Sequence, residues 1–126
     1  MTRINLVPVE DLCDQHLLSE HRELTRIPNT IASGKAKLDG NYPRNYTLGK
    51  GHVRFFYPRL QWLHNRYAQL HSECLNRRFN VLYKWPDSLP ERLYRDWKPT
   101  QQDILLNESR IRERMPLKAR YKGALL

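Results

Sequence analysis

Residues 58–78, PRLQWLHNRYAQLHSECLNRR, decide how the chain folds. Pro58 stands where the first turn of a helix tolerates a missing N–H. Leu60, Leu63, Tyr67, Leu70 and Cys74 then recur at steps of three and four, with Trp62 beside them. That is the 3.6-residue period of a helix burying one stripe. Arg77 and Arg78 close the stretch, where cations suit the negative end of the helix dipole. His64 and His71 share one face and are read as core or surface histidines, because no zinc-ligand spacing occurs in the chain.

Working outward, Leu12 to Thr25 carries a second amphipathic pattern. Cys13, Leu17 and Leu24 follow the helical period, while His16, Glu20 and Glu23 recur on another face. Proline disfavours helical geometry in the residue before it, so this helix is expected to weaken at Thr25 to Pro28. A kink or short second piece should run from Pro28 to Ser33, with Gly34 as its cap. Residues 2–8 form an extended arm in front. Lys35 to Lys50 read as a loop, in which Tyr42 and Tyr46 flank Arg44 and are expected to cover the core edge rather than stack on bases. Gly49 to Tyr57 is expected as a connection packed into the core, and it lacks the spacing of a phosphate-binding P-loop. Asn80 to Pro99, rich in proline and aromatics, reads as an ordered loop with a short helical turn near Pro90 to Arg95. Thr100 and Asp103 suggest a capping box, opening a helix through Ile104, Leu105, Ile111 and Met115. The expected fold is all-α, a single compact domain of about three main helices with long ordered loops and an N-terminal arm.

At 126 residues the chain has room for one modest core. No run of eighteen apolar residues occurs and no signal-peptide core opens the sequence, so a soluble cytoplasmic protein without a membrane role is expected. Cys13 and Cys74 fall on apolar stripes and are read as small buried hydrophobes. The net charge of +9 points to a polyanionic partner. Its distribution says more than the total. Residues 1–23 hold five acids against two bases, whereas Arg26 to Arg66 holds eight bases and one acid, Asp39. Six further bases follow Asn107, against Glu108 and Glu113. An acidic cluster beside a basic face is the expected result.

The chemistry concentrates at the N-terminus. Thr2 is small, so removal of Met1 exposes its α-amino group. Such an amine has an unperturbed pKa near ~7.8 against ~10.4 for lysine, leaving roughly a tenth of it as free base at neutral pH. A free amine attacks electrophilic carbon and forms imines. Glu23 lies between Arg22 and Arg26, where a carboxylate can steady a developing cation or take a proton while the guanidinium groups hold an anionic substrate. Ordinary solvent-facing charges at helical spacing account for the same three residues.

Thr2 to Leu6, Asp14 to Leu17, then Arg22, Glu23, Leu24 and Arg26 resemble the N-terminal signature of the pyrimidine dimer DNA glycosylases, the phage endonuclease V family. The similarity resumes at Leu48, Gly49, Gly51, His52, Val53 and Phe55 to Tyr57, at Glu73 to Leu75, and at Arg78 to Asn80. The resemblance implies a bifunctional glycosylase and abasic-site lyase acting on ultraviolet dimers in duplex DNA, with Thr2 and Glu23 catalytic. It further implies Arg3, Gln15, His16, Arg22, Arg26, Arg110, Arg114, Tyr121 and Lys122 at the DNA, no metal or other cofactor, a monomer, and association with the nucleoid through DNA. The chain departs from the family in two places. It is about four residues shorter after Arg26, close to one helical turn. Its tail keeps only Tyr121 where relatives are rich in aromatics, which leaves open the same chemistry on other damaged bases or on abasic sites. A non-catalytic basic DNA-binding domain is the alternative from a different class.

Overall fold

A helix over Leu60–Asn76 buries Leu60, Leu63, Leu70 and Cys74 along one stripe, as the periodicity predicts. Its main partner is a helix over Asp14–Ala32 that buries Leu17, Leu24, Ile27 and Ile31. The computed structural model describes residues 4–121 and 124–125. In chain order these hold a 3-10 turn (Val9–Asp11), α1 (Asp14–Ala32), α2 (His52–Phe56), α3 (Leu60–Asn76), a second 3-10 turn (Glu91–Leu93), α4 (Gln101–Glu113), and strands β1 (Arg120–Tyr121) and β2 (Ala124–Leu125). The fold is therefore α-helical, with a two-residue antiparallel pairing near the C-terminus.

α1 and α3 run antiparallel. Asp14 at the start of α1 meets Arg77 at the end of α3 at 2.9 Å, and Glu20 meets Arg66 at 2.7 Å. Each fully buried leucine between them contributes about 1.5–3 kcal/mol. Arg77 does more than decorate a helix end. Its guanidinium turns inward to bridge Asp14 and Glu73 and also donates to the carbonyls of Val9 and Glu10, fixing the 3-10 turn to α3. Burial pushes the Cys74 thiol up to about 11, so this residue is the inert hydrophobe expected of it. Cys13 is also buried, but as the N-cap residue of α1 rather than on its stripe.

The expected break near Pro28 does not occur. α1 continues through Pro28 to Ala32 without a second piece. Local preference loses here to burial of Ile27, Pro28 and Ile31, and neighbouring side chains take up main-chain carbonyls around the proline. Asn29 Nδ2 donates to Thr25 O at 2.7 Å and Thr30 Oγ1 to Arg26 O at 2.6 Å. Gly34 follows the helix with φ +79°, and the bonds Gly34 N–H to Ile31 O and Lys35 N–H to Thr30 O complete a Schellman motif.

Gly49 to Tyr57 is likewise more regular than expected, because His52–Phe56 forms α2. Gly51 caps it at φ +89°, a left-handed conformation that favours glycine, and a Cβ there would meet Pro43 at 3.2 Å. α2 delivers Phe55 and Phe56 into an aromatic cluster with Tyr46, Trp62 and Trp97. Trp97 thereby anchors the aperiodic 80–99 segment, and Trp85 anchors it again by stacking on His64 and donating to Tyr94 Oη. Tyr46 covers the core edge as expected. His71 packs on His21, whose pKa falls to about 4 through burial first and the adjacent His71 second.

The capping box forms. Thr100 Oγ1 accepts from Asp103 N–H at 3.1 Å, and Asp103 Oδ2 accepts from Thr100 N–H at 2.9 Å. The stripe of α4 differs from expectation: Leu105 is 53% exposed, and Asn107 is the residue fully inside. Ile104, Asn107 and Ile111 make the inward face, while Met115 lies beyond the helix end. Among the described residues no helix is long and apolar enough to cross a membrane.

Candidate active site

Residues 4–7 of the arm are pinned by side chains from five places in the fold. Ile4 N–H donates to His52 Nε2 at 2.8 Å, which assigns the His52 proton to Nδ1, where it is given to Thr47 O at 2.8 Å. Ile4 O accepts from Tyr46 Oη at 2.8 Å. Next, Asn5 Nδ2 donates to Glu20 Oε1 at 2.9 Å, and Asn5 Oδ1 accepts from Asn107 Nδ2 at 2.8 Å. Asn107 Oδ1 in turn accepts from Leu6 N–H at 2.7 Å. Arg66 completes the frame with two bonds to Glu20 and one to Val7 O at 2.6 Å. α1, α3, α4 and the arm thus meet in one buried polar network.

Above this network opens a cleft of about 390 Å³, walled by Asn5, His16, Glu23, Arg22, Arg110 and Arg114. The helical period of α1 puts His16, Ser19, Glu20 and Glu23 along one side of it, and the last turn of α4 supplies the arginines opposite. Glu23 has a side chain only 10% exposed, with Arg26 Nη1 at 3.0 Å and Arg22 Nη2 at 3.5 Å. Those two guanidinium groups are themselves 63% and 49% exposed, so they reach solvent while holding the carboxylate. The arrangement presents one sheltered anion inside a rim of cations. Such a rim suits phosphate oxygens, and the sheltered carboxylate suits a positive centre or a proton between them.

Several residues singled out from the sequence converge here: His16, Arg22, Glu23, Arg110 and Arg114 border the cleft and Arg26 touches its carboxylate. His16 Nε2 donates to Arg114 O at 3.0 Å, tying α1 to the end of α4. Gln15 sits apart from the cleft lining, its amide donating to Lys118 O and accepting from Arg120 N–H, which holds β1 against α1. Tyr121 is half-buried in β1. Thr2, Arg3 and Lys122 lie outside the described residues. Among those described, no group of three or more His, Cys, Asp or Glu gathers as a metal site.

The supporting residues Asn5, Glu20, Tyr46, His52, Arg66 and Asn107 were not identified as such from the sequence. Two carried a signal. Arg66 falls between Leu63 and Leu70 on the buried stripe of α3, and Asn107 falls between Ile104 and Ile111 on that of α4. A polar residue on an apolar stripe must have a buried partner. Compared with known families, the chain matches the pyrimidine dimer DNA glycosylases over residues 1–87, a span that includes the arm, α1, α2 and α3 and stops short of α4.

Proposed function

The chain belongs to the pyrimidine dimer DNA glycosylase family, and from that premise we propose that it excises pyrimidine dimers and then cleaves the resulting abasic site. The Thr2 amine, freed by loss of Met1, attacks C1′ of the damaged nucleotide. The glycosidic bond breaks with its electron pair going to the base, and the nitrogen loses a proton. As the C1′–O4′ bond then breaks and O4′ takes up a proton, an imine joins enzyme to the opened sugar. Glu23 stabilises the cationic sugar and promotes loss of the 2′ proton. The electron pair of that C–H bond then expels the 3′ phosphate, the imine serving as electron sink. Arg22, Arg26, Arg110 and Arg114, with Arg3 and Lys122, hold phosphates of the duplex, while Gln15, His16 and Tyr121 contribute further contacts. The enzyme acts as a monomer and without a metal or other cofactor.

One observation carries this assignment: Glu23, nearly buried between two arginines, faces a cleft that it shares with Asn5 of the pinned arm. A residue two positions before Ile4 can extend at most ~7 Å from it. Borohydride reduction of an enzyme–DNA mixture tests the imine. A covalent complex is expected on irradiated duplex, and none after acetylation of the terminal amine. A trap on abasic duplex with none on dimers would assign the same chemistry to abasic sites alone, a substrate class that the aromatic-poor tail favours. Intact Met1 in the purified protein would instead favour a non-catalytic DNA-binding domain.

The rim gives a second expectation. Arg26→Gln removes a guanidinium that is 63% exposed, and Glu23 keeps Arg22 at 3.5 Å, so the variant is expected to stay folded. It should weaken duplex binding across sequences and reduce the slope of log affinity against log salt by about 1. Anisotropy titrations at several salt concentrations measure this, and an unchanged slope would exclude a phosphate contact.

A further inference from the structure

Arg44, Arg59, Arg92 and Arg95 line a second cleft of about 410 Å³, which shares no residue with the first. Among the described residues no aspartate or glutamate lines it. Glu91 and Asp96 adjoin Arg92 and Arg95 in sequence, yet among the described residues neither lines the cleft nor forms an ion pair with its arginines, and Asp39 is held by Arg54 at 3.1 Å and Lys37 at 3.7 Å. Arg59 is the fixed member of the group. Its guanidinium lies 3.9 Å from the Phe55 ring centroid and donates to Phe55 O at 2.6 Å. Burial, and then the charge of Arg95, lower its pKa, so two like charges confront one another in a partly dry setting. Arg44, Arg92 and Arg95 are exposed and able to swing onto a ligand.

Two more features sit at the same place. Arg59 is the N-cap of the seventeen-residue α3, and no side chain caps that helix end, so its positive pole adds to the field. Tyr42 lines the cleft with a buried hydroxyl that has no hydrogen-bond partner among the described residues. A buried hydroxyl without a partner is uncommon in a folded protein. Four cations around a concave surface with an orphaned donor call for an anion of several oxygens. Guanidinium forks match the paired oxygens of phosphate better than any neutral ligand.

We propose that this cleft is a second phosphate-binding site, engaging a backbone phosphodiester of nucleic acid at a distance from the candidate active site. Arg44 and Arg59 lie within the residues matched to the family and Arg92 and Arg95 lie beyond them, so the cleft is completed by the C-terminal part of the chain. It acts on damaged and undamaged DNA alike and enters no chemical step, so its test is independent of cleavage.

The test compares wild type, Arg92→Gln/Arg95→Gln, and a control of equal charge loss, Lys84→Gln/Lys98→Gln, whose lysines are exposed and outside the cleft. Affinity for undamaged duplex is measured across a salt series, and inorganic phosphate is titrated separately by calorimetry. The arginine variant should lose about 2 from the salt slope and should lose phosphate binding, with the lysine control moving neither comparably. Loss of phosphate binding with an unchanged DNA slope would keep the anion site and assign it to free phosphate. Equal slopes for the two variants, with phosphate binding untouched in both, would overturn the proposal.

Discussion

Glu23→Gln should bind dimer-containing duplex at least as tightly as wild type and lose strand cleavage by about 10²–10⁴-fold, the range for removing a positioned acid–base group. Glutamine is nearly isosteric with glutamate, and its carbonyl oxygen still accepts from Arg26 at the 3.0 Å position. Helix and rim are therefore preserved. What disappears is the negative charge between Arg22 and Arg26. Losing it frees two cations for phosphates, so affinity for undamaged DNA should rise slightly and its salt dependence should steepen. That direction separates the chemical effect from misfolding, which would weaken binding. Glu23→Asp keeps the charge but withdraws it by one methylene and should fall between the two. Single-turnover cleavage beside anisotropy, at matched salt, measures all three. Full cleavage by Glu23→Gln would dismiss the carboxylate from the reaction.

The parts of this molecule that a local pattern can encode were legible in its sequence. The stripe from Leu60 to Cys74 is a helix because a 3.6-residue period over seventeen residues has no other stable reading. Thr100 and Asp103 announced a cap by their spacing, and Arg22, Glu23 and Arg26 are visible as one unit because a single turn of α1 joins them. Pro28 was misleading for a physical reason. The rule for the residue before proline describes an isolated chain, whereas here Asn29 and Thr30 bond to nearby carbonyls and the proline ring contributes to the buried face. α2, at five residues, is too short to display a period at all. The frame beneath the cleft was illegible because it joins positions far apart in sequence: Asn5 with Asn107, Ile4 with His52, Glu20 with Arg66. Charge counting placed Glu20 with Glu23 on one acidic face, yet its carboxylate is wholly buried against Arg66. No local pattern separates an acid that serves a cleft from one that supports it.

That buried pair gives the largest expected effect on stability. Glu20 is 0% and Arg66 4% exposed, and the two bonds between them, at 2.7 and 3.0 Å, form a fork on the carboxylate. Glu20→Gln leaves the guanidinium buried without its counter-charge, and breaking a buried pair on one side costs about 3–5 kcal/mol. For a chain of this size that is a fall of roughly 10–20 °C in Tm. Replacing both partners, as Glu20→Leu with Arg66→Met, removes the stranded charge and should recover part of the loss. Recovery stays incomplete because Asn5 Nδ2 and Val7 O lose the partners that Glu20 and Arg66 gave them. The two partners left behind belong to the arm. The double variant is therefore expected to fold well below its Tm yet cleave slowly, because residues 4–7 no longer hold one position beneath the cleft. Denaturation curves for the two singles and the double, with cleavage rates taken far below each midpoint, separate the two consequences. A double variant as active as wild type would show that Glu20 and Arg66 stabilise the helix pair alone and that His52, Tyr46 and Asn107 suffice to fix the arm.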